Sequence, residues 1–429
     1  MNVSICQKLF LAITVLMIML TTPCLQAEDE RTGQALSFFA NAEVNGFLEV
    51  RGGYRIQEDP FEKDESVGEG RLQVELFTYT GWAEFKFKGD VWADGIAERG
   101  EYDTREAWIF LRPTDFMDIK IGRQVLTWGT GDLVFLNDLF PKDWQSYFIG
   151  RDKEYLKAPS DAFKISYFTD LANMDLVYTP KFDQDRYITG EYISHWNGSV
   201  KRITGRDMIN TADRPNEWFK DDEISLRIYR NIKNYELALY GYFGFWKRPG
   251  GQDVSGVAIF PELNVYGVSA RGQAGRGIGN IEVAWYDSLD DKTGSDPLID
   301  NSEFRFLIGY TQDVAKDFNA SLQYYVEYML DYNEYLANLS GGPIRDEDRH
   351  VITLQLTKLL VNQNLELSLA SYYSPSDRDA YLRPIVHYKY NDKVTMEAGS
   401  NIFFGDECHT FFAQFENDTN IYTAVRYSF

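Results

Sequence analysis

Apolar and polar residues alternate along most of this chain, with the period of a β-strand rather than a helix. In Arg71-Leu72-Gln73-Val74-Glu75-Leu76, Leu72, Val74 and Leu76 share one face, and Arg71, Gln73 and Glu75 the other. Residues 82–92 repeat the scheme, with Ala83, Phe85, Phe87 and Val91 opposite Glu84, Lys86, Lys88 and Asp90. The end of the chain, Asn420-Ile421-Tyr422-Thr423-Ala424-Val425-Arg426-Tyr427-Ser428-Phe429, alternates again and stops on an aromatic ring. A charged face needs water, and an apolar face needs lipid or a protein core. A soluble two-layer protein supplies both for a few strands. The pattern recurring in nearly every strand, with so many charges on one side, predicts a transmembrane barrel, whose strands need only about 9–11 residues each.

The alternation predicts strands over 43–56, 69–78, 82–93, 101–111, 116–124, 161–170, 173–180, 222–231, 234–247, 262–272, 278–287, 302–311, 317–330, 348–358, 364–374, 380–390, 393–404 and 418–429. The fold class is therefore all-β, an antiparallel transmembrane barrel of about 18 strands, with 16 as the alternative, since single-chain bacterial barrels have even counts. Tight connections at Thr80-Gly81, Pro113-Thr114, Asp170-Leu171, Asn231 to Asn234 and Asn391-Asp392 contrast with long ones at 57–68, 125–160, 181–221, 247–261, 288–301 and 331–347. Short periplasmic turns and longer extracellular loops are the expected asymmetry, with both termini periplasmic.

Residues 1–27 carry Lys8, an apolar run from Leu9 to Leu20 and a small-residue exit at Ala27, the layout of a cleaved secretory signal peptide. The run is short for an anchor helix. Thr22-Pro23-Cys24 lacks the small residues of a lipoprotein cleavage site. Residues 28–429 then form a single domain, since no linker or Pro-rich stretch divides them. The expected location is the outer membrane of a Gram-negative bacterium.

Mean hydropathy of −0.37 would suit a soluble protein, but a barrel turns half of each strand to a polar lumen. The 28 Tyr and 29 Phe can furnish interfacial aromatic girdles; a Tyr-rich soluble sandwich or propeller is the competing reading. Cys408 is the sole cysteine after residue 27, which excludes an internal disulfide and a thiolate metal cluster. A net charge of −22 disfavours nucleic-acid binding. Most of that charge falls in 57–69, 94–103, 287–300, 331–348 and 405–418. These loops read as solvated faces, or as acidic patches that bridge through Ca²⁺ or Mg²⁺ to lipopolysaccharide.

The luminal faces are closer to charge balance. The expected inward bases include Arg51, Arg71, Lys86, Lys88, Lys120, Lys164, Arg227, Arg305, Arg383, Lys389 and Arg426. The expected inward acids include Glu49, Glu75, Glu84, Asp90, Asp118, Glu282, Glu327, Glu366 and Glu397. Facing bands of opposite sign would set a transverse field across a narrow channel.

Residues 121–161, IGRQVLTWGTGDLVFLNDLFPKDWQSYFIGRDKEYLKAPSD, depart from the strand pattern after Gln124. They carry Trp128, Phe135, Phe140, Trp144, Tyr147 and Phe148, more apolar rings than a solvated loop needs. The segment 125–160 is expected to fold inward as a constriction or plug with a short helix near 142–149; a surface lid is the alternative. Arg123, Asp132, Asp138, Asp143, Arg151 and Asp152 would then satisfy one another in the lumen. With the strand residues Arg71, Glu84, Lys86, Lys88, Asp90, Asp118, Lys120, Arg305, Glu327 and Arg383, the charged residues Arg123, Asp132, Asp143 and Arg151 make up the expected pore lining.

Ile121-Gly122-Arg123-Gln124, Trp128-Gly129, Asn137-Asp138 and Pro141-Lys142-Asp143-Trp144, together with Phe411-Phe412-Ala413-Gln414-Phe415 and the closing Arg426-Tyr427-Ser428-Phe429, resemble motifs of porin-like outer-membrane barrels that include the alginate-export group and similar uncharacterised bacterial barrel families. The resemblance implies a passive channel for small polar or charged solutes, or export of an oligosaccharide. Alginate exporters have an arginine-dense lumen; the lumen expected here is mixed. The C-terminal strand ending in Phe429 would engage the barrel-assembly machinery.

No Gly-x-Ser-x-Gly elbow, zinc motif, phosphate-binding loop or haem motif occurs, so no catalytic residue, metal or cofactor is expected. His195-Trp196-Asn197-Gly198-Ser199 groups His, Asn and Ser, but triad partners usually meet through the fold. The alternative to a channel is a structural or binding barrel that anchors surface polysaccharide or sheaths a periplasmic electron-carrier partner.

Overall fold

A computed structural model describes residues 42–339 and 341–429; residues 1–27, read above as a signal peptide, lie outside the described residues. The barrel strands are β1 (Glu43–Arg55), β2 (Glu65–Tyr79), β3 (Ala83–Asp94), β4 (Arg99–Thr114), β5 (Met117–Val125), β6 (Pro159–Tyr167), β7 (Asn173–Thr179), β8 (Glu223–Ile232), β9 (Tyr235–Phe245), β10 (Glu262–Ala274), β11 (Gly277–Ser288), β12 (Glu303–Ala315), β13 (Phe318–Met329), β14 (Asp348–Leu360), β15 (Leu365–Ser374), β16 (Asp379–Lys389), β17 (Val394–Gly405) and β18 (Asn420–Ser428). They form one 18-stranded antiparallel sheet in which each strand pairs with its sequence neighbours. β1 closes on β18, from Phe47 opposite Ser428 to Arg55 opposite Asn420. Closure leaves no unpaired edge, the condition for strands to cross hydrocarbon.

Each predicted strand has its counterpart, because period-2 alternation is enforced wherever lipid lies on one side. Leu237, Leu239, Ile281, Ile308, Leu322 and Val425 are exposed on the outer wall. Exposed Tyr79, Trp82, Phe116, Tyr167, Tyr235 and Tyr390 lie at the short-turn end, and Tyr54, Tyr102, Trp285, Phe304 and Tyr328 at the long-loop end. An apolar band between two aromatic girdles is the signature of a membrane-spanning barrel.

Several boundaries differ from the sequence reading by a few residues, and two of them have a plain physical reason. β2 begins at Glu65, because residues 65–68 extend the ladder onto β1. β4 runs through the expected turn at Pro113-Thr114, and the turn is Asp115-Phe116, with Thr114 opposite Met117. Pro113 falls in a register shift between Leu111 and Thr114, where no ladder hydrogen bond is asked of it.

The core of this barrel lies inside the cylinder. Buried Leu263, Val265, Tyr286, Leu307, Tyr325, Tyr381, Phe403 and Tyr422 from the walls pack with Leu133, Leu136, Tyr147, Phe148 and Ile149 from the segment between β5 and β6.

Candidate functional site

Residues 126–158 leave β5, cross the lumen and return to β6. At Gly129 the backbone takes φ of +77°, open to glycine without strain. The next amides meet Glu282 of β11: Thr130 and Gly131 N–H donate to Oε1, and Asn137 donates to Oε2 from its backbone (3.2 Å) and its side chain (2.9 Å). Tyr286 Oη donates to the Leu136 carbonyl at 2.6 Å, and Tyr372 Oη to the Leu133 carbonyl at 3.2 Å. Wall hydroxyls and carboxylates thus satisfy loop backbone that would otherwise be buried unpaired. Gly267 on β10 makes room for this: a Cβ there would lie 1.8 Å from Asn137 Oδ1.

The helix α1 (Trp144–Ile149) follows. Asp143 caps it by accepting from Ser146 N and Oγ, both at 2.7 Å, and Gly150 ends it in the left-handed conformation. Arg51 of β1 donates to the Gly150 carbonyl at 2.7 Å and Arg383 of β16 to the Arg151 carbonyl at 2.6 Å. Arg151 pairs with Glu69 of β2, and Tyr155 Oη donates to Asp90 of β3 at 2.7 Å. Lys88 meets Glu154 at 3.0 Å. The helix face packs Phe148 against Tyr381, Phe403 and Phe415, with ring centroids 5.2–5.4 Å apart. Leu126, Trp128 and Phe140 pack on Ala162 and Val177 of β6 and β7. The segment is therefore tied to walls on opposite sides of the cylinder.

Above it, on the long-loop side, opens a cavity of about 1030 Å³. Its lining includes Phe135 and Trp144 from the segment, Trp196, His195, His409 and Phe411 from loops, and a charged ladder on the wall. In that ladder Arg305, Glu327 and Arg349 are register partners on β12, β13 and β14. Glu327 lies 3.8 Å from Arg305 and 3.4 Å from Arg349, and Arg349 reaches Asp377 at 2.5 Å. Arg305 also stacks 3.9 Å from the Tyr286 ring centroid. On the loop side, burial raises the Asp185 carboxyl above its usual range, against the opposing pull of Lys142. That carboxyl accepts from Lys142 N at 2.7 Å and Trp144 Nε1 at 3.1 Å.

Below the segment the luminal faces of β3 to β6 stay partly exposed. Lys86 lies between Glu75 (3.3 Å) and Glu106 (3.2 Å), Asp118 pairs with Arg112 at 2.9 Å, and Lys120 stands over the Trp108 ring at 4.1 Å. Glu84 alternates onto the same face as Lys86.

The residues expected to line a pore divide into groups. Arg71, Asp90, Arg151 and Arg383 are inside the cylinder but buried, holding the segment to the wall instead of bordering open water, and buried Asp143 caps α1 and pairs with Arg186 of the loop between β7 and β8 at 3.3 Å. Asp132 is turned to the wall as well, accepting from Ser321 Oγ at 2.7 Å. Glu84, Lys86, Lys88, Asp118, Lys120, Arg305 and Glu327 remain partly exposed. Arg123 is a correction. It falls on the opposite alternation to Lys120, donates to the Thr104 carbonyl at 2.6 Å, and pairs with exposed Asp161 at 3.1 Å. The six charges expected to satisfy one another take other partners: Arg151 pairs with Glu69 of the wall, Asp152 with Arg426 of β18, and Asp138 with Lys142 of the same segment. Asp59 and Asp418, counted with solvated loop charge, are buried. Arg345 and Arg349 were missed, although period 2 from Val351 places Arg349 inward.

No protein-family model and no curated protein sequence matches the chain. Among solved structures it is similar to outer-membrane porins. OccAB1 of Acinetobacter baumannii aligns with a TM-score of 0.53 and 11% identity, over 91% of this chain and 97% of that one. OccD3 (OpdP) of Pseudomonas aeruginosa gives 0.52 and 10%, over 90% and 91%. OccAB3 of A. baumannii gives 0.52 and 13%, over 91% and 99%. At these identities the likeness is one of fold. A closed barrel of this architecture, with its apolar band and girdles, belongs in the outer membrane of a Gram-negative bacterium.

Proposed function

We propose that the chain is an outer-membrane channel for small polar or charged solutes, with residues 126–158 as its constriction. The observation that carries this reading is the segment's set of bonds to luminal side chains on opposite walls, with a mixed-charge vestibule above and a charged lumen below. The vestibule volume, about 1030 Å³, is of the size that accommodates a small molecule. Its acids and bases are interleaved, as in the Arg305–Glu327–Arg349 ladder, which suits a polar or zwitterionic solute better than a long polyanion. A partner protein sheathed by the cylinder would find that space already filled by the segment. In this reading residues 1–27 direct secretion. The terminal strand, with Phe429 bonded to Gly46 of β1 in both directions, is the assembly signal. Liposome swelling tests the proposal: vesicles containing the purified barrel should admit small polar solutes and exclude large dextrans. Swelling no faster than protein-free vesicles for every small solute would overturn it.

A further inference from the structure

At the extracellular mouth, where β1 meets β18, three loops converge on Ser194, which is fully buried. Ser194 Oγ lies 2.5 Å from Asp59 Oδ2 in the loop 56–64 and 3.3 Å from Asp418 Oδ2 in the loop 406–419. A serine hydroxyl carries one hydrogen, so it can donate to one carboxylate only. The second contact is a hydrogen bond when the other carboxyl carries a proton of its own. The charge count agrees. Asp59, Asp418 and Glu62 face two guanidinium groups, Arg55 on Asp418 and Arg206 on Glu62, so Asp59 has no cationic partner of its own when all three acids are ionised. Arg55 holds Asp418 at 2.9 Å and donates to the carbonyls of Lys63, Glu65 and Tyr192. Arg206 holds Glu62 at 3.2 Å.

We propose that Asp418, Ser194 and Asp59 form a proton-operated latch that clasps these three loops over the mouth when protonated and releases them when the proton leaves. In the closed form the Asp418 carboxyl donates to Ser194 Oγ, and the Ser194 hydroxyl donates to Asp59. Loss of the proton leaves two carboxylates competing for one hydrogen in a site shielded from water. The next residues, His195 and Trp196, line the vestibule, so release loosens one wall of the entrance.

The surrounding groups set the pH window. Burial is the main cause that raises the Asp418 carboxyl well above the usual range; Arg55 opposes it, and Asp59 and Glu62 add to it. Burial likewise pushes Glu62 up to about 7 against Arg55 and Arg206. Lys63 is turned away onto the Ile96 carbonyl and Glu98, and the Tyr192 hydroxyl is occupied by Asp94. Burial lowers the His195 imidazole below its usual range. A carboxyl raised in the closed form stabilises closure fully below its solvated value, and that stabilisation is lost as pH rises through the raised value.

The test is amide hydrogen exchange of the full chain in detergent, corrected for intrinsic rates, followed over residues 56–64 and 406–419. It is independent of solute passage. Wild type should be protected at acid pH, with opening rising about tenfold per pH unit across the window. Asp418→Asn supplies a permanent N–H donor and should stay protected and flat with pH. Protection in wild type that does not change with pH would overturn the latch, whether or not the variant folds. So would an Asp418→Asn barrel that keeps the full wild-type response, or a response abolished by Glu62→Gln alone.

Discussion

Inward positions near the long loops hold Leu263, Tyr286, Leu307, Tyr381 and Phe403, each at most 2% exposed. Those near the short turns of β3 to β5 hold Glu84, Lys86, Asp118 and Lys120, each partly exposed. The strands run straight through both halves of the lumen, so strand geometry does not distinguish them. What differs is the occupant: the outer half contains the segment 126–158, which buries its wall charges, and the inner half leaves its paired charges partly exposed. An inward position is therefore an open charge where it borders the free lumen, and a buried ring, aliphatic side chain or anchored charge where it borders the segment.

The largest expected effect comes from cutting the segment's polar anchor. Glu282→Ala leaves the amides of Thr130, Gly131 and Asn137 buried without an acceptor. At about 1–3 kcal/mol for each orphaned donor, local stability falls by about 4 kcal/mol. Hydrogen exchange over 129–138 should then accelerate by on the order of a thousandfold. Unchanged exchange would mean that the apolar packing alone fixes the loop.

Phe148→Ala comes next. It removes a ring 2% exposed from among Tyr381, Phe403 and Phe415, for about 3–4 kcal/mol. Thermal melting should show a lowered transition with the strand signal intact. Gly150→Ala ranks third. Its φ of +91° and a Cβ position 2.4 Å from the Tyr422 ring combine strain with a clash. About 1–3 kcal/mol of cost should appear as faster exchange in 144–151 alone. The inner half should respond least: Lys120→Gln should change stability by under about 0.5 kcal/mol while shifting the reversal potential toward cations. A large loss of stability there would erase the contrast between the halves.

All eighteen strands were legible because lipid enforces the alternation of each one. The inward course of 126–158 was legible from Trp128, Phe140, Trp144, Tyr147 and Phe148, rings that only a core can absorb. Arg123 departs from the expected lumen face because its odd spacing from Lys120 puts it on the other alternation, where it pairs with Asp161. The Asp59–Ser194–Asp418 contact was beyond sequence reading, because the three residues are far apart in the chain and each looks like ordinary loop polarity. Arg349 was obscured by its acidic neighbours Asp346, Glu347 and Asp348, although its alternation was readable.

Single-channel recording in planar bilayers, comparing wild type with a barrel lacking residues 130–158, tests the central claim most directly. The account predicts a small conductance in wild type and one several-fold larger once the segment is gone, with the strand content unchanged. Equal conductances, or none in either protein, would contradict the assignment of this segment as the constriction of a channel.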